Sequence, residues 1–257
     1  MRRLLAILLL ILFINTSYGQ VPIKERFDAG VQHLKANDFF EAKSIFSKLI
    51  EMSDDDKVKK MSYIYRGFAN EGLGKYTEAI NDYNRAIVLD SNDDATYIDR
   101  GKAYIKTENY KKAEDDFKYV IKRNDKSKHS EAAYYYLAQI CYYTSQYKEA
   151  VEYYTKLLVL APNDAEAYFN RGAAKGMYMD VEGSISDYDA AIKIYPQYKE
   201  AFTNRGVQKI NLLTSKGKVQ PESEELKSAC NDLSTAMKFG DERIDLFDVY
   251  CTDLIKK

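Results

Sequence analysis

The chain has 257 residues, 46% of them hydrophobic and 30% charged, enough apolar side chain for one sizeable domain or a stack of repeats. Its net charge of −1 provides no basic field of the kind that attracts nucleic acid. The two histidines, His33 and His129, and the three cysteines, Cys141, Cys230 and Cys251, fall at no metal-ligand spacing, and no nucleophile–base pair or Gly-rich phosphate loop is visible. No metal, cofactor or catalytic site is therefore expected. The many carboxylates follow helix surfaces and read as solvated faces.

The chain opens with Arg2 and Arg3, then an apolar run of 11 residues from Leu4 to Ile14, then NTSYGQ with the small residues Ser17 and Gly19. The run is too short to span a bilayer comfortably and has the form of a secretory leader over residues 1–19, with cleavage expected between Gly19 and Gln20. Cleavage removes two positive charges and moves the net charge from −1 to −3. The expected location is periplasmic or extracellular, with no membrane span after processing.

A 34-residue period follows. Gly67 and Gly101 are 34 apart, as are Gly172 and Gly206, and each ends a similar stretch: YIYRG, YIDRG, YFNRG and FTNRG. Laid on that period, the blocks fall at about 23–56, 60–93, 94–127, 131–164, 165–198 and 199–241. The second carries Tyr63, Gly67, Tyr76, Ala79, Tyr83 and Ala86; the fourth carries Tyr134, Ala138, Tyr147, Ala150, Tyr154 and Pro162. Each block divides into two helical runs with apolar residues three and four apart, separated by short polar turns such as Gly74-Lys75, Glu108-Asn109 and Ser145-Gln146. Such a pair cannot bury its apolar face alone, so stacking supplies the core. A stretch of Gly, Pro, Ser and charge near 214–224 (TSKGKVQPESE) interrupts the sixth block and reads as a solvated loop. Residues 242–257 place Ile244, Phe247, Cys251 and Leu254 on one helical stripe, fit to cap the last open face.

An aromatic, a small residue four places on, then Ala, an aromatic, a small residue and a terminal Pro is a pattern that resembles the tetratricopeptide (TPR) repeat family. The resemblance runs over about residues 23–241. It implies an all-α, right-handed α-solenoid of about six helix-turn-helix repeats with a C-terminal capping helix. It also implies a non-enzymatic scaffold or adaptor that holds a peptide segment or partner helix in a groove; the alternative is a regulatory or accessory subunit of an envelope enzyme or a transport or secretion assembly. The family's groove positions correspond here to Phe27, Val31, Ile64, Phe68, Ile98, Lys102, Tyr135, Gln139, Tyr142, Phe169, Asn170, Asn204 and Val207. A carboxylate clamp of the family type is not expected, because Phe27, Val31, Tyr65, Ala95 and Asp99 occupy its places. An asparagine ladder is only partial, through Asn170 and Asn204.

Arg66, Arg100, Arg171 and Arg205 precede the small residue in four blocks. Each has an acid at a fixed later place: Asp82, Asp116, Asp187 and Asp232. The fourth block has Leu137 and Tyr153 there, and the first has Ala29 and Ile45, so the two places change together. That pattern predicts charge-assisted pairs within each repeat, with an Arg never left opposite an apolar residue. Cys230 and Cys251 lie on faces that can meet. A bridge between them is expected in an oxidising compartment, against two packed thiols, and Cys141 reads as core packing.

Overall fold

The computed structural model describes residues 21–217, 223–242 and 245–252, and the leader expected at 1–19 lies outside them. The described residues form thirteen helices and no strand. Contacts divide the chain into two compact units, before and after Glu108/Asn109.

The first unit holds α1 (Ile23–Lys35), α2 (Phe39–Met52), α3 (Asp56–Gly72), α4 (Tyr76–Leu89) and α5 (Asp94–Lys106). The second holds α6 (Tyr110–Arg123), α7 (Lys128–Tyr143), α8 (Tyr147–Leu160), α9 (Ala165–Met177), α10 (Val181–Ile194), α11 (Lys199–Ser215), α12 (Glu224–Lys238) and α13 (Asp245–Tyr250). Within each unit every helix packs on the next, and first helices of neighbouring repeats also touch: α1 on α3, and α9 on α11. Each unit is thus a stack of helix pairs, an all-α solenoid. No helix among the described residues is long and apolar enough to cross a membrane.

Local chemistry sets the helix ends. Side chains of Asp38, Asp55, Ser127, Asp164, Asp180 and Ser223 accept a backbone N–H in the first turn of the helix that follows, satisfying donors that the helix itself cannot. Between the two helices of a repeat, one residue turns left-handed: Asn37, Gly74, Glu108, Ser145, Met179 and Gly217 all have positive φ. In four of these turns the next N–H reaches back to a carbonyl five residues earlier: Asp38 to His33, Lys75 to Asn70, Gln146 to Cys141 and Asp180 to Lys175.

The small residue of each first helix lies against a large side chain of the second. A Cβ added to Gly67 would sit 2.5 Å from the Tyr83 ring, one on Gly30 would sit 2.7 Å from Phe46, and one on Gly206 would sit 2.9 Å from Leu233. Tyr83, Phe46, Tyr154 and Tyr188 are among the largest fully enclosed side chains, and the alanines Ala42, Ala79, Ala113 and Ala150 beside the helix crossings are fully buried.

One feature departs from the sequence reading. The stretch 214–224 is not a loop throughout. Thr214 and Ser215 complete α11, which runs to 17 residues because Ile210 and Leu213 continue its buried stripe, and Ser223 and Glu224 cap and start α12. Residues 218–222 lie outside the described residues. Within the expected capping segment 242–257, α13 covers Asp245–Tyr250, and Phe247 and Tyr250 pack on Ile210, Leu226 and Leu233. Ile244 and Leu254 lie outside the described residues.

Gly67→Ala tests the close crossing. In an open helix this change stabilises by roughly 0.5–1 kcal/mol. Here the new methyl meets an enclosed ring, and overpacking of about 1–3 kcal/mol outweighs that gain. The thermal midpoint is expected to fall; a rise would show that the Tyr83 ring is free to move away.

Candidate functional site

Two groups of side chains were singled out from sequence: the Arg–Asp pairs and the groove positions. The pairs determine which charges remain for anything else.

Arg66 donates from Nε and Nη2 to Asp82, the closest approach being 2.6 Å. Arg171 holds Asp187 through Nε at 2.9 Å and Nη2 at 2.7 Å. Arg205 holds Asp232 in the same forked way, with Nε at 2.9 Å. The three aspartates are buried. Arg100 and Asp116 fall in different units.

The structure adds two partners that the sequence reading did not name. Four residues after the Arg, on the same helix face, a second donor reaches the same carboxylate. Asn70 Nδ2 lies 2.9 Å from Asp82, Lys175 Nζ 2.9 Å from Asp187 and Lys209 Nζ 2.7 Å from Asp232. Backwards, the Arg Nη1 reaches the second helix of the preceding repeat: Arg66 to Ser47 at 3.1 Å, Arg100 to Asn84 at 2.7 Å, Arg171 to Thr155 at 3.2 Å and Arg205 to Asp189 at 2.6 Å. The guanidinium also lies over the aromatic ring three residues before it, at 5.3–5.4 Å from Tyr63, Tyr97, Tyr168 and Phe202. Arg66, Arg171 and Arg205 each thus tie their own helix pair to the repeat before it, with their donors engaged inside the stack. Burial works against the Arg205 charge, yet the hydrogen bonds and charges of Asp232 and Asp189 outweigh it and raise its pKa.

In the first unit the expected groove residues are partly absorbed by packing. Ile64 and Ile98 are buried between helices, which corrects their assignment as partner-facing. Phe68 packs on Tyr83, Val31 lies on the core of Phe46 and Leu49, and Lys102 pairs with Asp99 at 3.1 Å. Phe27 stacks edge-on against Phe46 and Tyr65. It also lines an apolar pocket of about 310 Å³ with Ile23, Val58 and Met61.

In the second unit the expected residues converge. Gln139, Tyr142, Phe169, Asn170 and Asn204 line one pocket of about 210 Å³, together with Tyr143, Tyr154 and Ala173. Tyr142, Ala173 and Asn204 are shared with a neighbouring pocket of about 320 Å³, whose lining adds Val207, Gln208 and Asn211. The two form one groove across α7, α9 and α11. No charged side chain lines it. Tyr135 stands at its end, donating to Glu166 at 2.5 Å while accepting from Gln139 at 2.8 Å. Asn204 donates to the Tyr188 hydroxyl at 3.4 Å. Gln208, not singled out from sequence, lies over Gly176, where an added Cβ would come within 2.7 Å of its Nε2. Tyr134 and Tyr154 are core.

Ile64, Ile98, Tyr135 and Phe169 occupy the same place, three before the small residue. An isoleucine ends within the helix crossing, whereas an aromatic ring extends past it and remains partly exposed. Phe27, at the same place in the first unit, is likewise partly exposed and lines the apolar pocket there, while Thr203, at that place in the second unit, is buried.

His33 Nδ1 meets Asp38 at 2.9 Å, and His129 lies in the first turn of α7. No group of three or more His, Cys, Asp or Glu is placed to hold a metal ion among the described residues. Cys230 and Cys251 are bridged, joining α12 to α13, a separation of 21 residues. Cys141 is a buried free thiol, its pKa pushed up to about 11 by burial, with the nearby charges of Glu114 and Glu149 adding to the shift.

Helix pairs stacked through side-chain hubs, with an open groove on their first helices, define a repeat protein of the kind that binds other proteins. The chain carries tetratricopeptide repeats: the family models described as TPR repeat and Tetratricopeptide repeat match residues 73–107 and 98–165. It is 26% identical over 192 residues to DnaJ homolog subfamily C member 3 of Gallus gallus, a match that covers 70% of this chain and 37% of that relative's length. The C-terminal part of a TPR repeat-containing protein from Cytophaga hutchinsonii superposes with a TM-score of 0.70 at 16% identity, covering 85% of this chain and 81% of that one. YrrB, described as a TPR protein with an unusual peptide-binding site, gives a TM-score of 0.58 at 24% identity, covering 77% and 94%.

Asp82→Ala leaves Arg66 and Asn70 without their shared acceptor. A cost of about 3 kcal/mol is expected, from stranding a partly buried cation rather than from losing one bond. The triple change Arg66→Leu, Asn70→Cys, Asp82→Tyr imports the residues that the fourth repeat carries at these places and should recover part of that loss. Equal destabilisation of the single and triple variants in denaturant titration would refute the account.

Proposed function

We propose that the chain is a non-enzymatic adaptor whose second unit holds an extended peptide segment or partner helix in the groove of α7, α9 and α11. The carrying observation is the composition of that groove. Side-chain amides from Gln139, Asn170, Asn204 and Gln208 alternate with the rings of Tyr142 and Phe169, and no fixed charge is present. Carboxamides both donate and accept, so they can pair with the N–H and C=O groups of an unpaired backbone. Aromatic anchors give area at small conformational cost. The peptide-binding site named for YrrB, a protein of the same fold, supports this choice of ligand class.

The same reading places the protein outside the cytoplasm. The leader-like segment at 1–19 and the Cys230–Cys251 bridge support export, because structural bridges are favoured in an oxidising compartment. The cross-link would add ~3 kcal/mol for a loop of this size. Thiol titration of the denatured, unreduced protein should give one reactive thiol per chain, from Cys141, and three would exclude the bridge. Intact mass of the secreted form should correspond to a chain beginning at Gln20.

The groove is tested by affinity capture from the envelope fraction with the full chain as bait. Tyr142→Ala together with Asn170→Ala should reduce recovery of partners about tenfold or more, since each removes a central contact of roughly 1 kcal/mol. Recovery unchanged by the pair would move the binding site off this groove.

A further inference from the structure

The groove floor is neutral, but its end is not. Glu166 lies in the first turn of α9, one turn before Phe169, and is exposed. The Tyr135 hydroxyl donates to it at 2.5 Å, and among the described residues no Lys, Arg or His forms an ion pair with it. Tyr135 is joined to the floor through Gln139, so Glu166 is the continuation of the groove rather than a separate surface group. On the adjoining helices, Arg171 and Lys175 are engaged on Asp187, and Arg205 on Asp232 and Asp189. Glu200, the acid in the first turn of α11, has only the exposed Lys199 at 4.0 Å. The ring of Tyr198 lies beside this end of the groove, 4.9 Å from Phe169. Burial raises its hydroxyl pKa to about 12, with the charges of Glu166, Glu200 and Asp164 adding to the shift. Glu166 therefore acts as an unpaired carboxylate on one end of an uncharged channel, with Glu200 and Asp164 adding negative charge beside it.

We propose that the groove selects an extended peptide whose uncharged segment lies over Asn170 and Tyr142 and whose flanking lysine or arginine pairs with Glu166. This rests on the groove being the binding site. Charge complementarity carries it: a peptide with an acid at that flank meets repulsion, while a basic flank gains an ion pair that no side chain among the described residues already supplies. Tyr135, held by Gln139, fixes the direction in which the carboxylate points, so the pairing is a selectivity device more than a source of affinity.

Selection of phage-displayed random 12-residue peptides on the full chain tests this. Peptides selected on the unmodified protein should be enriched in Lys or Arg toward one flank. For a synthetic peptide from that pool, Glu166→Gln should weaken binding about threefold at low salt, the range of an exposed ion pair, with the difference fading at high salt. Glu166→Lys should reverse the flank preference toward Asp and Glu. Peptides that depend on Tyr142 and Asn170 but show no basic flank, or bind Glu166→Gln equally well, overturn the selectivity while leaving the groove as the site. Failure to select any peptide that depends on Tyr142 and Asn170 overturns the groove itself. Both Glu166 variants change an exposed residue, and unchanged thermal midpoints would show that the fold is intact.

Discussion

The stack depends on one side chain used three ways. In repeats with the hub, a single guanidinium covers an aromatic ring on its own helix and grips a carboxylate on the paired helix. It also reaches a polar group on the repeat before. Only arginine offers this, because its donors diverge in a plane and its charge is never lost. Solenoid stability is a sum of pairing within repeats and contact between them. The hub joins those two terms in one residue, so loosening a helix pair also loosens its attachment to the neighbour. A buried ion pair by itself is weak evidence for stability. What distinguishes these is that the second donor at Asn70, Lys175 or Lys209 satisfies the remaining carboxylate lone pairs.

The hubs also decide what the groove is made of. Arg171, Lys175 and Arg205 all belong to the helices that border it, yet each is held on a buried aspartate between helices. With these cations held there, the exposed face keeps amides and rings. The fourth repeat contributes differently: Leu137 and Tyr153 stand in place of the hub, and its first helix turns Gln139, Tyr142 and Tyr143 outward. A neutral groove beside an acidic end is thus the product of where the ion pairs are placed.

Much of this was legible in the sequence. The 34-residue period located the helix pairs, and the joint change of Arg and Asp across blocks identified the pairs without coordinates. The other hub contacts escaped because their chemistry is not uniform. Asn70, Lys175 and Lys209 share a position but not a residue type, and so do Ser47, Asn84, Thr155 and Asp189. A search for polar residues at a fixed offset, rather than for a repeated letter, would have found both. The buried state of Ile64 and Ile98 was not legible, since it turns on how far a side chain extends past a neighbouring helix. Nor was the division at Glu108/Asn109, because the sequence period passes through that point without a break.

The turns show how strongly stacking outranks local preference. The left-handed position recurs in every repeat, yet glycine fills it only at Gly74 and Gly217; Asn37, Glu108, Ser145 and Met179 fill the others. For an ordinary L-residue that conformation costs roughly 1–2 kcal/mol, somewhat less for asparagine. The cost is accepted because the second helix must reverse at that residue to place its aromatic against the small residue of the first. Enclosing a ring such as Tyr188 or Tyr154 contributes more than the turn loses. The turn geometry is therefore imposed by the packed pair, and the freedom of residue type at the turn is a consequence of how firmly that pair is set.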